Sequence, residues 1–255
     1  MRLIDMHAHL WIGHGVEKCR RKILKSAEVY GVESFFVSTL VRAVPSPDEV
    51  TVANQATYDF ARDYPELIKS YVYLSPEHDN ALDVLRRGVE DNGAIGAKIW
   101  ISEKCDATSV NPLAEQLIDY GLPVLIHTFK KSNGPQAANE STSVNVRNLA
   151  LRYPEVKIIM AHIDGNCYNG VENVRDLSNV WVDVSGSPSR AGEVEYAVRH
   201  LGSQRVMFGT DLSACSFAIP YGKVLEAKIS DSDKENILYK NTVRLFDKLY
   251  AGEVL

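Results

Sequence analysis

Short runs of β-branched and aromatic residues alternate with helical patterns along the whole chain, and this alternation limits the fold more than any other feature. The runs occupy residues 3–10, 33–40, 67–74, 94–101, 122–128, 156–162, 180–184 and 205–209. Helical patterns lie near 17–30, 48–64, 81–91, 112–120, 144–153, 171–177, 192–200, 223–227 and 233–250. Strands that alternate with helices form parallel sheets. Eight such units in 255 residues predict an α/β fold, a single (β/α)8 TIM barrel.

No linker, repeat or composition shift divides the chain, so we expect one domain over residues 1–255. The net charge of −5 and the absence of basic runs argue against nucleic acid as a partner. No apolar segment approaches the length that spans a membrane, and a strand that starts at residue 3 leaves no room for a cleavable leader. The four cysteines lie far apart without a CxxC spacing, which predicts free thiols and a cytoplasmic location.

The first run, LIDMHAHL, carries two histidines that are separated by one residue. Alternate side chains of a strand share a face, so we expect Asp5, His7 and His9 on one face and the apolar residues, Ile4 and Met6 among them, on the other. A lone histidine on an apolar strand is more often a satisfied core residue. Burying two without a partner would be costly, however, and two imidazoles at this spacing can bind one metal ion together. The spacing therefore favours a pair of metal ligands.

Polar residues end several of the predicted strands. In a barrel of this type the active site lies at the carboxyl ends of the strands. Four of the seven histidines fall there together with one lysine and one aspartate, and this group consists of His7, His9, Lys98, His127, His162 and Asp211. The three remaining histidines lie in predicted loops or helices and have the character of surface residues. We therefore expect the strand-end group to form one site.

This set of residue types suits a divalent metal. Imidazoles with one carboxylate favour zinc, with manganese, cobalt or iron as alternatives. A bound metal lowers the pKa of water toward neutrality and so yields hydroxide. Asp211 can ligate the metal and also hydrogen-bond that water, which allows it to act as general base and acid. His162 could ligate a second metal, or it could orient the water or the developing oxyanion.

The order of these motifs resembles the amidohydrolase superfamily. The HxH of the first strand, the histidines in VLIHT and IIMAH and the aspartate in MFGTD match its pattern. The closing ENILYKNTVRLF resembles the C-terminal helix of its branch of TIM-barrel metal-dependent hydrolases, which is related to the aminocarboxymuconate semialdehyde decarboxylases. The resemblance covers the whole chain and implies one divalent metal, whose ligands would be His7, His9, His127 and Asp211. It also implies that His162 activates water and that Asp211 shuttles protons.

Lys98 has three interpretations. In dinuclear members of the superfamily a lysine of the fourth strand is carboxylated and bridges two metals, and Lys98 lies at about that place. The decarboxylase-like branch more usually keeps a single metal, and a basic residue there would contact a substrate carboxylate. A lysine that extends along the barrel rim into solvent is the third interpretation. We favour an unmodified, substrate-binding Lys98 beside a single metal.

Two aromatic residues and three basic ones are weaker candidates for substrate binding. Trp11 and Trp100 follow strands that carry candidate site residues and could form walls of the pocket, although aromatic residues there are as often simple packing. Arg190, Lys130 and Lys131 lie in predicted loops at the active face, where positive charge attracts an anionic substrate. We retain Trp11 and Arg190 beside the lysine of the fourth strand.

Three functions fit this constellation. We expect a metal-dependent hydrolase that opens an amide, ester or lactone bond of a small anionic molecule through metal-activated water. The alternative is a lyase that decarboxylates an unsaturated or aromatic carboxylic acid without oxidation, since fold and ligands do not fix the substrate. A non-catalytic barrel that binds a small molecule fits less well, because all the residue types of a catalytic site are present. The expected partner is a small molecule, and the sequence is compatible with a homo-oligomer.

Overall fold

A computed structural model of the chain describes residues 1–186 and 190–251. The end of the predicted domain at 252–255 and loop residues 187–189 lie outside the described residues. The strands are β1 Ile4–Trp11, β2 Ser34–Leu40, β3 Ile68–Ser70, β4 Val72–Leu74, β5 Ala97–Ile99, β6 Val124–Ile126, β7 Ile158–Met160, β8 Val180–Asp183 and β9 Val206–Met207. They pair in parallel in the order β1-β2-β3 and, in a second set, from β4 to β9 in sequence order.

The third predicted strand, 67–74, joins these two sets. It is divided at Tyr71 into β3 and β4. The amide of Tyr71 donates to the carbonyl of Val37 on β2 at 2.8 Å, and the amide of Ile95 donates to the carbonyl of Ser70 on β3 at 2.9 Å. The chain just before β5 therefore pairs with the end of β3, and the two sets are continuous.

The other seam of the barrel lies between β1 and the chain that follows β9. The amide of Met6 donates to the carbonyl of Phe208 at 3.1 Å. Further along, the carbonyl of His7 accepts hydrogen bonds from the amides of Thr210 and Asp211 at 3.3 and 2.8 Å. The eight predicted strands thus form the (β/α)8 barrel, which confirms the fold predicted from the sequence.

Helices pack on the outside of the barrel. They are α1 Val16–Tyr30, α2 Pro47–Asp63, α3 Ala81–Glu90, α4 Asn111–Tyr120, α5 Ser143–Arg152, α6 Cys167–Val174, α7 Glu193–Leu201, α8 Ala218–Glu226, α9 Asp231–Glu235, α10 Asn241–Leu245 and α11 Asp247–Ala251. A π-helical turn at Asn236–Lys240 lies between α9 and α10, so the closing helix predicted over 233–250 is divided. None of the helices in the described ranges combines the length and the apolar character needed to cross a membrane. The four cysteines are free thiols, as expected.

An apolar plug fills the amino end of the barrel interior. Ile4 and Met6 pack there with Phe36, Tyr71 and Phe246. The hydroxyl of Tyr71 donates to the carbonyl of Met6 at 3.2 Å, so the one polar atom of this ring is satisfied. This plug forms a solid floor, and the polar residues that end the strands lie above it.

A β-bulge in β1 breaks the alternation expected for this strand. The pairing of β1 with β2 shifts in register shortly after the strand begins. Ile4 and Met6 lie in the interior cluster, whereas Ala8 packs in the outer core, so the expectation that these apolar residues share a face is wrong. An extra residue in one strand re-aims the side chains that follow it. His7 and His9 consequently point into the barrel, above Ile4 and Met6. With strict alternation these histidines would lie on the opposite face of the strand from Ile4 and Met6.

Candidate metal centre

Two buried histidines of β1 face each other at the carboxyl end of the barrel. The Nε2 atoms of His7 and His9 lie 2.9 Å apart. On the opposite side of each ring, Nδ1 of His7 lies 2.8 Å from a carboxylate oxygen of Asp183, and Nδ1 of His9 lies 2.9 Å from Oγ of Ser38 and 3.3 Å from its carbonyl oxygen. Burial lowers the pKa of both imidazoles, so each ring is neutral and has a single N–H. Carboxylate and carbonyl oxygens only accept, which places both protons on Nδ1 and leaves two unprotonated nitrogens facing each other.

Asp211 completes a group of three with these nitrogens. Its Oδ1 lies 3.8 Å from Nε2 of His7 and 3.5 Å from Nε2 of His9. Its other oxygen, Oδ2, accepts a long hydrogen bond from the thiol of Cys215, with Sγ at 3.5 Å. Burial raises the pKa of Asp211 to about 6, although the nearby charge of Lys98 opposes the shift.

The three donor atoms fit a divalent cation. Their separations of 2.9, 3.5 and 3.8 Å bracket the distance of about 3.4 Å that tetrahedral ligands keep when each lies about 2.1 Å from zinc. Two imidazole lone pairs and a carboxylate oxygen converge here, and no proton lies between the two nitrogens, so a cation bound among them would stabilise the arrangement. The donor set is also the N/O mixture that zinc, manganese and iron accept.

A hydrogen-bond network behind the group orients His7 and His162. One oxygen of Asp183 accepts a hydrogen bond from Nδ1 of His7. The other accepts hydrogen bonds from the amide of His162 at 3.1 Å and from the amide of Ser185 at 2.9 Å. The hydroxyl of Ser185 donates to Asp183 and lies 2.9 Å from Nδ1 of His162. A carboxylate behind a ligating imidazole fixes the ring and makes it a better ligand. Asp183, at the end of β8, is such a group for His7.

His127, a ligand expected from the resemblance, lies beside this group rather than within it. Among the described residues, the metal-ligating side chains that lie within 4.8 Å of one another in threes are His7, His9 and Asp211, and His7, His162 and Asp183. The Nδ1 atom of His127 faces Nε2 of His162 at 3.2 Å, and its Nε2 faces Glu140. Burial, with the charge of Lys98, lowers the pKa of His127.

Lys98 is completely buried and belongs to the centre. Its Nζ lies 3.3 Å from Nε2 of His7, the same nitrogen that faces His9. Burial lowers the pKa of this amine to about 8, and the charges of Asp211 and Asp183 act in the opposite direction. The interpretation of Lys98 as a lysine that extends along the rim into solvent is therefore wrong.

Three of the weaker candidates, Trp11, Trp100 and Arg190, make different contacts. The ring of Trp11 stands edge-on to His9, with 6.2 Å between centroids, and edge-on to Trp100 at 5.2 Å. These two indoles form an aromatic wall on the β1 and β5 side of the mouth. Arg190 instead donates a hydrogen bond to Oγ of Ser132 at 3.2 Å, on the loop that follows β6.

Two segments of the site have backbone conformations that residues with side chains rarely adopt. His162, Ile163 and Asp164 have φ angles of 61°, 42° and 63°, and Asp211 has a φ of 59°. Such conformations cost free energy and persist where the surrounding structure imposes them, commonly at active sites. Two residues that we selected from the sequence, His162 and Asp211, are among these four.

Four residues that orient the site, Asp183 among them, were not selected from the sequence. Ser38, Ser185 and Glu140 carry no motif that would select them. Glu140 in particular lies in a polar loop, far along the chain from the strand end that carries its partner. Asp183 ends a predicted strand in the same way as the selected residues, so its position was the available signal.

Comparisons with known proteins agree with this architecture. The amidohydrolase family model matches residues 4–248. Among solved structures, 2,6-dihydroxybenzoate decarboxylase from Rhizobium superimposes with a TM-score of 0.79 at 18% identity, over 97% of this chain and 99% of that one. A dihydroxybenzoic acid decarboxylase from Polaromonas sp. JS666, with bound manganese and the inhibitor 2-nitroresorcinol, gives 0.77 at 18% identity over 97% of each chain. For 5-carboxyvanillate decarboxylase from Sphingomonas paucimobilis the values are 0.74 and 17%, over 96% and 99%.

Among curated proteins, no match to the chain is found. The solved structures share its fold at low sequence identity, whereas the family model spans nearly all of its length. The residues that carry the resemblance, among them the paired histidines of β1 and the aspartate after β9, lie together at the carboxyl end of the barrel. The chain is therefore a member of the amidohydrolase superfamily.

Proposed function

We propose that the chain is a metal-dependent decarboxylase that releases CO2, without oxidation, from a small unsaturated or aromatic carboxylic acid. The observation that carries this proposal is the buried amine of Lys98, 3.3 Å from Nε2 of His7 at the edge of the donor group. A buried ammonium is stabilised by negative charge, and a substrate carboxylate bound beside the metal would add its charge to those of Asp211 and Asp183. The full-length similarity to three decarboxylases supports this reading over hydrolysis.

The proposed centre holds one divalent metal through Nε2 of His7, Nε2 of His9 and Oδ1 of Asp211. When bound, such a metal supplies a Lewis acid that withdraws electrons from the substrate's oxygens. Zinc and manganese both suit the donor set. We take His127 as a further ligand through Nδ1, the atom that points away from Glu140.

Each polar residue then has a defined task. Lys98 binds the carboxylate that will leave, and the indoles of Trp11 and Trp100 exclude water from one side of the substrate. The bond between carboxylate and substrate carbon breaks, its electron pair stays on that carbon, and CO2 departs. Asp211, protonated on Oδ2, delivers its proton to the same carbon and recovers one from solvent, to which its side chain is 19% exposed. His162 is held by Ser185 and Asp183 at the edge of the pocket, where it orients the substrate.

The test is a substrate panel in D2O with manganese-loaded and zinc-loaded protein. We expect CO2 release from hydroxylated benzoic acids or related unsaturated acids, with one deuterium on the carbon that carried the carboxylate. Asp211→Asn keeps an oxygen ligand but removes the proton donor, so turnover should fall by about two to four orders of magnitude while most metal stays bound. Turnover of lactones, esters or amides, with no CO2 from any acid, would contradict the proposal and favour the hydrolase.

A further inference from the structure

We infer that Glu140 is a positioning residue that decides which nitrogen of His127 faces the metal centre. Glu140 lies in the loop between β6 and α5, and its side chain is 10% exposed. Its Oε1 lies 3.2 Å from Nε2 of His127. The inference rests on the proposed function only in taking His127 as a metal ligand.

The chemistry of the contact fixes the position of one proton. An ionised carboxylate can only accept hydrogen bonds, so Nε2 of His127 must be the protonated nitrogen. A neutral imidazole has a single N–H, which leaves Nδ1 unprotonated. Nδ1 is the atom that points away from the loop and lies 3.2 Å from Nε2 of His162. Glu140 thereby presents a lone pair of His127 to the centre.

The carboxylate of Glu140 is itself held on its other side. Its Oε2 accepts a hydrogen bond from Nε2 of Gln136 at 2.8 Å. The same oxygen forms an ion pair with Nζ of Lys131 at 3.3 Å. The same Gln136 amide donates to the carbonyl of Phe129 at 2.7 Å, and the backbone amide of Lys131 donates to the Gln136 side chain at 3.2 Å. The loop is therefore folded around this carboxylate, and its conformation is coupled to the orientation of His127.

The arrangement matches the relation between Asp183 and His7. In both cases the outer nitrogen of the imidazole donates a hydrogen bond to a carboxylate, which leaves the inner nitrogen unprotonated. Partners of this kind typically change metal affinity by about ten- to a hundredfold when they are removed. A loop residue that only stabilised the fold would not select a tautomer.

The experiment measures the tautomer of His127 and the affinity for zinc. In ¹⁵N-labelled full-length protein before zinc is added, long-range ¹H–¹⁵N correlation spectra should show the proton of His127 on Nε2, with the resonance assigned by its loss in His127→Gln. Glu140→Ala should abolish this preference and weaken zinc binding by about ten- to a hundredfold in competition with a chelating dye. Glu140→Gln, which can donate as well as accept, should shift both readouts in the same direction and remains informative if the alanine variant does not fold.

Glu103→Gln is the matched control, because Glu103 accepts a hydrogen bond from Ser109 in a neighbouring loop and is not among the partners of His127. It should leave the tautomer and the zinc affinity unchanged. A wild-type His127 protonated on Nδ1, or unchanged readouts in both Glu140 variants, would overturn the inference. Neither readout uses CO2 release, so a failed decarboxylase assay would leave this result standing.

Discussion

At the scale of single residues, the site depends on which atom of each side chain faces the centre. His7 and His9 turn Nδ1 outward to hydrogen-bond acceptors and present Nε2 inward. Lys98 adds a positive charge beside the same nitrogens, with Asp211 and Asp183 as the nearby negative charges. The amine of Lys98 therefore has carboxylates near it when no substrate is bound. Its positive charge is also available to pair with an anionic substrate.

Replacement of Lys98 by methionine tests this role. The side chains have similar volumes, so Lys98→Met should leave the barrel intact and remove only the charge. Loss of a charge-assisted hydrogen bond costs about 1.5–3 kcal/mol, so the KM for an acid substrate should rise by about ten- to a hundredfold. Metal content, measured by elemental analysis, should not change. Two metals per chain in the wild type, lost in the variant and restored with bicarbonate, would instead establish the carboxylated bridge.

At the scale of elements, the strands could be predicted and their local irregularities could not. Eight strands and the residues at their ends follow from the sequence, because short apolar runs alternate with helical patterns along the chain. The bulge in β1 leaves none, since one extra residue changes which face Ile4 and Met6 occupy without changing composition. The contact of Glu140 with His127 could not be predicted either, because it depends on the path of the loop and not on the residue types in it.

The close packing of Gly209 against β1 gives a prediction at this scale. A Cβ at Gly209 would lie 2.6 Å from Cβ of His7. Gly209→Ala should therefore push the chain after β9 away from β1, lower the free energy of unfolding by about 1–3 kcal/mol and weaken metal binding. Urea denaturation and a zinc titration measure the two effects.

Gly222→Ala provides the comparison, because a Cβ at Gly222 in α8 would meet no atom within 4 Å. An alanine within a helix is intrinsically favourable by about 0.5–1 kcal/mol over glycine, so this variant should be as stable as the wild type or slightly more so. Zinc affinity in Gly209→Ala equal to that of Gly222→Ala would show that the contact with His7 does not position the ligand.

At the scale of the whole molecule, three of the four proposed ligands come from opposite ends of the chain. His7 and His9 lie in the first strand, and Asp211 follows the last. These segments meet at the closing seam of the barrel, where the carboxylate of Asp5 also accepts from the amide of Thr210 at 3.1 Å. A shared metal would link the two ends of the barrel across this seam. The sequence predicts the closure from the strand count, but it does not reveal that these three ligands lie at the seam.

Removal of the metal should therefore lower global stability and loosen the seam. Metal present at 100 to 1,000 times its Kd stabilises the folded state by about 2.7–4.1 kcal/mol, and for a chain of this size each kcal/mol corresponds to about 2–4 °C in Tm. Chelation should lower Tm by about 5–15 °C on these figures. Hydrogen exchange should increase most in β1 and in the chain after β9. The double variant with His7→Ala and His9→Ala should show no response to added metal or to chelator. An equal response in the double variant would place the stabilising metal outside this centre, because the variant lacks two of its four proposed ligands.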